Sequence, residues 1–117
     1  MANLFDVTNA PAIEPDVVSP GDFLQWKRTD LGQDYSNTAY TASYVARIST
    51  GGNTEIAITG TASGDDYLFT VTSATSNDFE IGLYHWQLEI VRNSDSNRII
   101  VDRGYFNCVA DLDVNGA

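Results

Sequence analysis

Few side chains in this sequence are able to do chemistry, and the most specific group stands near its C-terminus. Asp111-Leu112-Asp113-Val114-Asn115-Gly116 spells the first half of the EF-hand calcium loop, D-x-[DN]-x-[DN]-G. Hard oxygens at alternate positions converge on one cation, and the glycine allows the sharp turn. The loop also needs a bidentate acid six positions beyond the glycine, and the 117 residues hold none there. Asp111, Asp113 and Asn115 are therefore a weak metal candidate, and residues 111–117 are expected to form an acidic tail with no functional metal site. Asp65-Asp66, next to Gly64, could bind a cation or exchange protons, but aspartate is common in hairpin loops for turn-forming reasons alone. His85 is the one histidine, on the polar face of an alternating run beside Trp86, with no serine or cysteine convincingly placed as its nucleophile. Cys108 alternates with Phe106 and Ala110 and reads as a small buried hydrophobe. Trp26 and Trp86 alternate with polar residues, so they read as core, with exposed sugar-binding platforms as the rival. The expectation is no catalytic residue and no cofactor.

Composition points the same way. Sixteen acidic residues against six basic ones give a net charge of -10, a field that repels nucleic acid. A single thiol makes no intrachain disulfide and no multi-cysteine zinc site. No apolar run approaches the ~18 residues of a membrane span, and Met1 to Asp6 carries neither basic region nor apolar stretch to suggest a secretory signal. Hydrophobic residues at 43% suffice for one folded domain of this length.

The elements that must position these side chains divide at the prolines. Pro11, Pro15 and Pro20 all fall in the first twenty residues. Each removes an amide donor and pushes its predecessor toward extended geometry, so 1–20 is expected to be an extended arm. The arm also carries Leu4, Phe5, Val7, Ile13, Val17 and Val18, the candidate partner-binding residues. Either it packs on its own domain as a strand and linker, or it reaches a neighbouring subunit.

From Gly21 the pattern changes to short alternating runs. Leu24, Trp26 and Arg28 share one face; so do Ala42, Tyr44, Ala46 and Ile48; then Ile56 and Ile58; then Tyr67, Phe69 and Val71; then Tyr84, Trp86, Leu88 and Ile90. A last long run covers Arg98 to Ala110. Period two with β-branched and aromatic residues is the signature of strands. The separators, Asp34-Tyr35-Ser36-Asn37, Gly51-Gly52-Asn53, Ser63-Gly64-Asp65-Asp66 and Asn93-Ser94-Asp95-Ser96-Asn97, are turn chemistry. A helix is expected only briefly, near Ser73 to Phe79, as a connector. The fold class is all-β, an antiparallel sandwich over 21–110 with the N-terminal arm before it.

Two resemblances refine this. Asp78-Phe79-Glu80-Ile81-Gly82-Leu83-Tyr84-His85-Trp86 resembles the approach to the sixth strand of immunoglobulin-like (Ig-like) domains, where a tyrosine corner pins the loop that crosses between sheets. It implies an Ig-like sandwich, here without the inter-sheet cysteine pair. Ser19-Pro20-Gly21-Asp22-Phe23-Leu24-Gln25-Trp26, Tyr40 to Ile48, Gly82 to Leu88 and Gly104 to Val109 together resemble the small β-rich virion proteins of tailed bacteriophages. That resemblance implies a structural protein: a capsid decoration (cement) protein on the virion surface, made in the host cytoplasm. The major capsid protein or other virion subunits would be its partners, with further copies of itself on the particle. A head–tail adaptor or baseplate component is the alternative, and a carbohydrate-binding module a more distant one. No nucleic-acid or membrane partner is expected.

Overall fold

The computed structural model describes residues 3–49 and 54–110. The chain forms β1 (Val17–Val18), β2 (Leu24–Arg28), β3 (Tyr40–Ile48), β4 (Glu55–Thr59), β5 (Thr61–Ser63), β6 (Asp66–Val71), one helical turn α1 (Ser73–Ser76), β7 (Gly82–Arg92) and β8 (Arg98–Cys108). They make two sheets, β1-β8-β7-β3-β4 and β2-β6-β5. The alternation in the sequence is the alternation of the structure. Ala42, Tyr44, Ala46 and Ile48 of β3 all point into the space between the sheets, opposite Tyr67, Phe69 and Val71 of β6. A one-residue slip would turn each set outward, so burial fixes the register.

Strands β2 to β8 fall in the places of strands B, C, C′, D, E, F and G of an Ig-like sandwich, with G-F-C-C′ in one sheet and B-E-D in the other. The tyrosine corner is present: the Tyr84 hydroxyl, at the start of β7, donates to the Glu80 carbonyl at 2.9 Å. α1 lies in the connection before it. Thr72 caps this turn, and the buried Ser76 hydroxyl donates to the Asp22 carbonyl at 2.6 Å, tying the connection to the start of β2. In antibody domains a disulfide joins strands B and F against a tryptophan on strand C. Here Trp26 of β2 and Trp86 of β7 flank Tyr44 of β3 edge-on, with ring centroids 5.3 and 5.2 Å from it. Phe69 closes on the same ring at 4.6 Å. Aromatic pairs of this geometry contribute about 0.5–1.5 kcal/mol each beyond the area they bury, so a packed ring cluster pins the sheets in place of a covalent bond. Gly104 makes room for it. It sits across from Trp86 in the β7–β8 ladder, and a Cβ there would come within 2.4 Å of the indole.

The N-terminal segment differs from a plain extended arm. It opens with a single 3-10 turn at Val7–Asn9, capped by Asp6. It then runs along the outer edge of β2, where the Pro11 carbonyl accepts from the Lys27 amide at 2.8 Å. It ends on β8, where Asp16 and Val18 carbonyls accept from Asn107 and Val109 at 2.9 Å each. β1 pairs with β8 in parallel, while every other described pairing is antiparallel. Prolines at 11, 15 and 20 suit such a path, since an edge segment needs few amides of its own. Its second half is thus built into the sandwich and bridges both sheets. Val18, expected on sequence grounds to face a partner, is instead 3% exposed in the core of its own domain, because the β1–β8 pairing turns it inward.

Candidate interaction surface

What holds the arm is a charged cluster. Arg28, at the end of β2, follows Leu24 and Trp26 on the inward face and is itself buried. Its guanidinium meets Asp30 through two bonds, Nε at 2.9 Å and Nη2 at 2.7 Å. Nη1 donates to Glu14 at 2.6 Å, to the Tyr44 hydroxyl at 3.2 Å and to Asp102 at 3.3 Å. The Tyr44 hydroxyl in turn donates to Glu14. One side chain therefore joins the arm, β2, β3, β8 and the loop after β2. The bonds from Asp30, with those of Tyr44 and Glu14, hold Arg28 protonated well above its usual range despite burial. Arg28 lowers the Asp30 carboxyl in return. Burial, and then the hydrogen bond to Glu14, push the Tyr44 phenol up. Behind the cluster, Glu14 and Pro15 close an inter-sheet cavity of about 30 Å³ between Trp26, Tyr44, Trp86 and Phe106. The buried indole N–H of Trp26 finds no hydrogen-bond partner among the described residues.

Outside the cluster the arm is apolar and open. Leu4 (62% exposed), Phe5 (71%), Ile13 (71%), Val17 (56%) and Val7 (40%) all face solvent. Phe5 packs against Phe23 with tilted rings, centroids 5.0 Å apart, and the Gln25 side-chain amide donates to the Leu4 carbonyl at 3.0 Å. Leu4, Pro11, Ile13, Phe23 and Leu24 border a groove of about 360 Å³. Fully burying one such side chain is worth about 1.5–3 kcal/mol, so this surface is costly in water. Five of the six candidate partner-binding residues are thus accessible on the arm, and Val18 is not.

The chemical candidates disperse. Asp111, Asp113 and Asn115, with the acidic tail, lie outside the described residues, as does the Gly51-Gly52-Asn53 turn. Asp65 and Asp66 serve the β5–β6 hairpin, where Gly64 takes a positive φ of 61°. His85 is exposed on the outer face of the large sheet, between Arg47 and Tyr105. Cys108 is buried, and burial raises its thiol. Trp26 and the half-buried Trp86 both belong to the inner ring cluster. Among the described residues no three of His, Cys, Asp or Glu stand close enough to share a metal ion. No helix of the described residues is long and apolar enough to cross a membrane.

Sequence reading missed the Arg28 cluster. The signal was present, for an arginine in phase with Leu24 and Trp26 must turn inward and find acids. Which acids, from sites as remote as Glu14 and Asp102, needed the fold. No protein-family model matches the chain, and no curated protein sequence is significantly similar to it.

Proposed function

We propose that the protein is a non-enzymatic structural subunit of a tailed-phage virion, a capsid decoration protein that binds and stabilises the head shell. The observation that carries this reading is the arm: five large apolar side chains held in the open by a buried ionic clasp. A segment fixed at residues 14–18 and apolar at 4–13 is ready to lie against a neighbour. The major capsid protein is that neighbour, with further copies of the chain on the lattice. The net charge of -10 suits a surface turned toward solvent and away from packaged DNA. The inward Trp26 and Trp86 weigh against the carbohydrate-binding alternative, which needs such rings as platforms.

Co-sedimentation with purified heads tests the reading. The full chain should pellet with heads and raise their resistance to heat. A chain lacking residues 2–10 keeps Glu14 and β1 but loses Leu4, Phe5 and Val7. It should stay folded and bind at least about 100-fold more weakly. Binding to isolated tails and not to heads would move the protein to a head–tail or baseplate position. Binding to neither would end the virion reading.

A further inference from the structure

The groove between the arm and β2 has a charge as well as a shape. Its apolar border is interrupted by two carboxylates, Glu14 and Asp16, and by no cation. Arg28 already holds Glu14 at 2.6 Å. Asp16 is exposed and has no ion-pair partner among the described residues. Its main chain is fixed, since the Asp16 carbonyl accepts from the Asn107 amide at 2.9 Å. Two more exposed carboxylates stand close: Asp6 follows Phe5 in the chain and Asp22 precedes Phe23, and those two rings are in contact. Lys27, which also lacks an ion pair among the described residues, stands at the Pro11 end, where its amide meets the Pro11 carbonyl. It does not border the groove. An apolar recess of about 360 Å³ thus opens beside a fixed negative charge. That volume lies at the small end of the ~300–1,000 Å³ range of ligand pockets, room for an anchoring side chain and its neighbour.

We propose that this groove takes an exposed loop of a protein partner in which a large apolar side chain is flanked by arginine. The apolar side chain would lie among Leu4, Ile13, Phe23 and Leu24, and the arginine would meet Asp16. The inference rests on the reading of the arm as a docking surface, and not on that partner being a capsid. Exposed ion pairs add little affinity, so the apolar anchor supplies most of the binding, while charge sets the choice of partner and the speed of approach. A second copy fits poorly, because it carries -10 and presents the same carboxylates at the same place. A nucleic acid or an anionic lipid surface would meet the same repulsion.

The probe is a capped hexapeptide with a Leu-Phe centre flanked by two arginines, titrated into the ¹⁵N-labelled full chain. Saturable shifts should centre on the amides of Ile13, Asp16, Phe23 and Leu24 and on the side-chain amide of Gln25, and the binding should weaken as salt is raised. The same peptide with two glutamates in place of the arginines should bind at least about 10-fold more weakly. Ile13→Ser, at an exposed position, should lower the affinity for the arginine peptide at least about 5-fold. Asp16→Lys should leave the rest of the amide spectrum in place and cut the preference for arginine over glutamate at least about 5-fold. The proposal is overturned if no saturable shifts appear at the groove, if the two peptides bind equally, or if Asp16→Lys keeps the full preference. It is also overturned if the same amides shift when the protein alone is concentrated, since the occupant is then a second copy. No phage particle enters these measurements. A chain that binds the arginine peptide as stated but pellets with no part of the virion keeps this inference and ends the virion reading. A chain that pellets with heads but shows no peptide preference does the reverse.

Discussion

Arg28 shows how one inward charge can organise a small domain. Its burial is tolerable only because Asp30, Glu14 and Asp102 surround it, and the same bonds fasten the arm. Removing one member of a buried pair leaves the other uncompensated, which costs about 3–5 kcal/mol. Arg28→Ala should therefore destabilise the fold by that order in urea unfolding, whereas Glu14→Gln, which keeps a polar acceptor, should cost clearly less. Equal effects would mean that the arm, and not the charge, carries the loss. The buried phenols give a second outcome at this scale. Burial raises Tyr44, Tyr67 and Tyr84 in the folded state. A group raised by folding contributes stability that is whole below its unfolded value, about 10 for tyrosine, and is lost as pH climbs through the folded value. Thermal unfolding followed above about pH 10 should show a steep fall, and Tyr44→Phe should make it shallower. Asp30 works in the opposite direction: depressed by Arg28, it withdraws support only as acid protonates it, below about pH 4.

At the scale of elements, the ring cluster depends on a glycine. Trp86 lies over Gly104, with the 2.4 Å approach leaving no room for a methyl group. Gly104→Ala should cost about 1–3 kcal/mol as an overpacked contact, and a shortened side chain at 86 should relieve part of it. Additive losses in the Gly104→Ala, Trp86→Phe double variant would contradict this account. The arm behaves as two elements. Residues 14–18 belong to the sandwich through Glu14, the Asp16 carbonyl and Val18; residues 3–13 touch it more lightly. Cutting away 2–10 should shift the melting temperature little, while cutting away 2–18 should unfold the domain or nearly so. Tryptophan fluorescence would register the difference, because both indoles sit at the sheet interface. If the longer deletion folds normally, the bridging role assigned to residues 14–18 is wrong.

Across the whole molecule, the strands were legible because burial imposes a strict period of two, from Ala42 through Ile48 and from Tyr67 through Val71. The tyrosine corner was legible because Glu80 lies only four residues from Tyr84. What the chain did not reveal depends on distance along it. Val17 and Val18 pair with Asn107 and Cys108, and no local pattern links them. The arm's apolar residues look alike in sequence, yet Val18 is core and Val17 is surface, decided by one parallel ladder. Charge was legible as a total and not as a distribution, since only the registers place three arginines on one face. That distribution has a consequence for stability. On the outer sheet face Arg47, Arg98 and Arg103 outnumber Glu55 and Glu89 by one, so the other described residues, with three basic against twelve acidic side chains, carry -9, and their self-repulsion opposes compaction. The exposed pairs, Arg47–Glu55 and Arg92–Asp95 among them, return little, because surface ion pairs are worth about 0–1 kcal/mol. Salt screens both, with a Debye length of about 10 Å at 0.1 M. Repulsion involves many charges and the pairs only a few, so screening should favour the fold. The melting temperature near pH 7 should rise by a few degrees between about 0.01 and 0.3 M sodium chloride, where the Debye length shrinks severalfold. A fall over the same range would mean that the ion pairs, and with them the Arg28 cluster, outweigh the repulsion of the acidic surface.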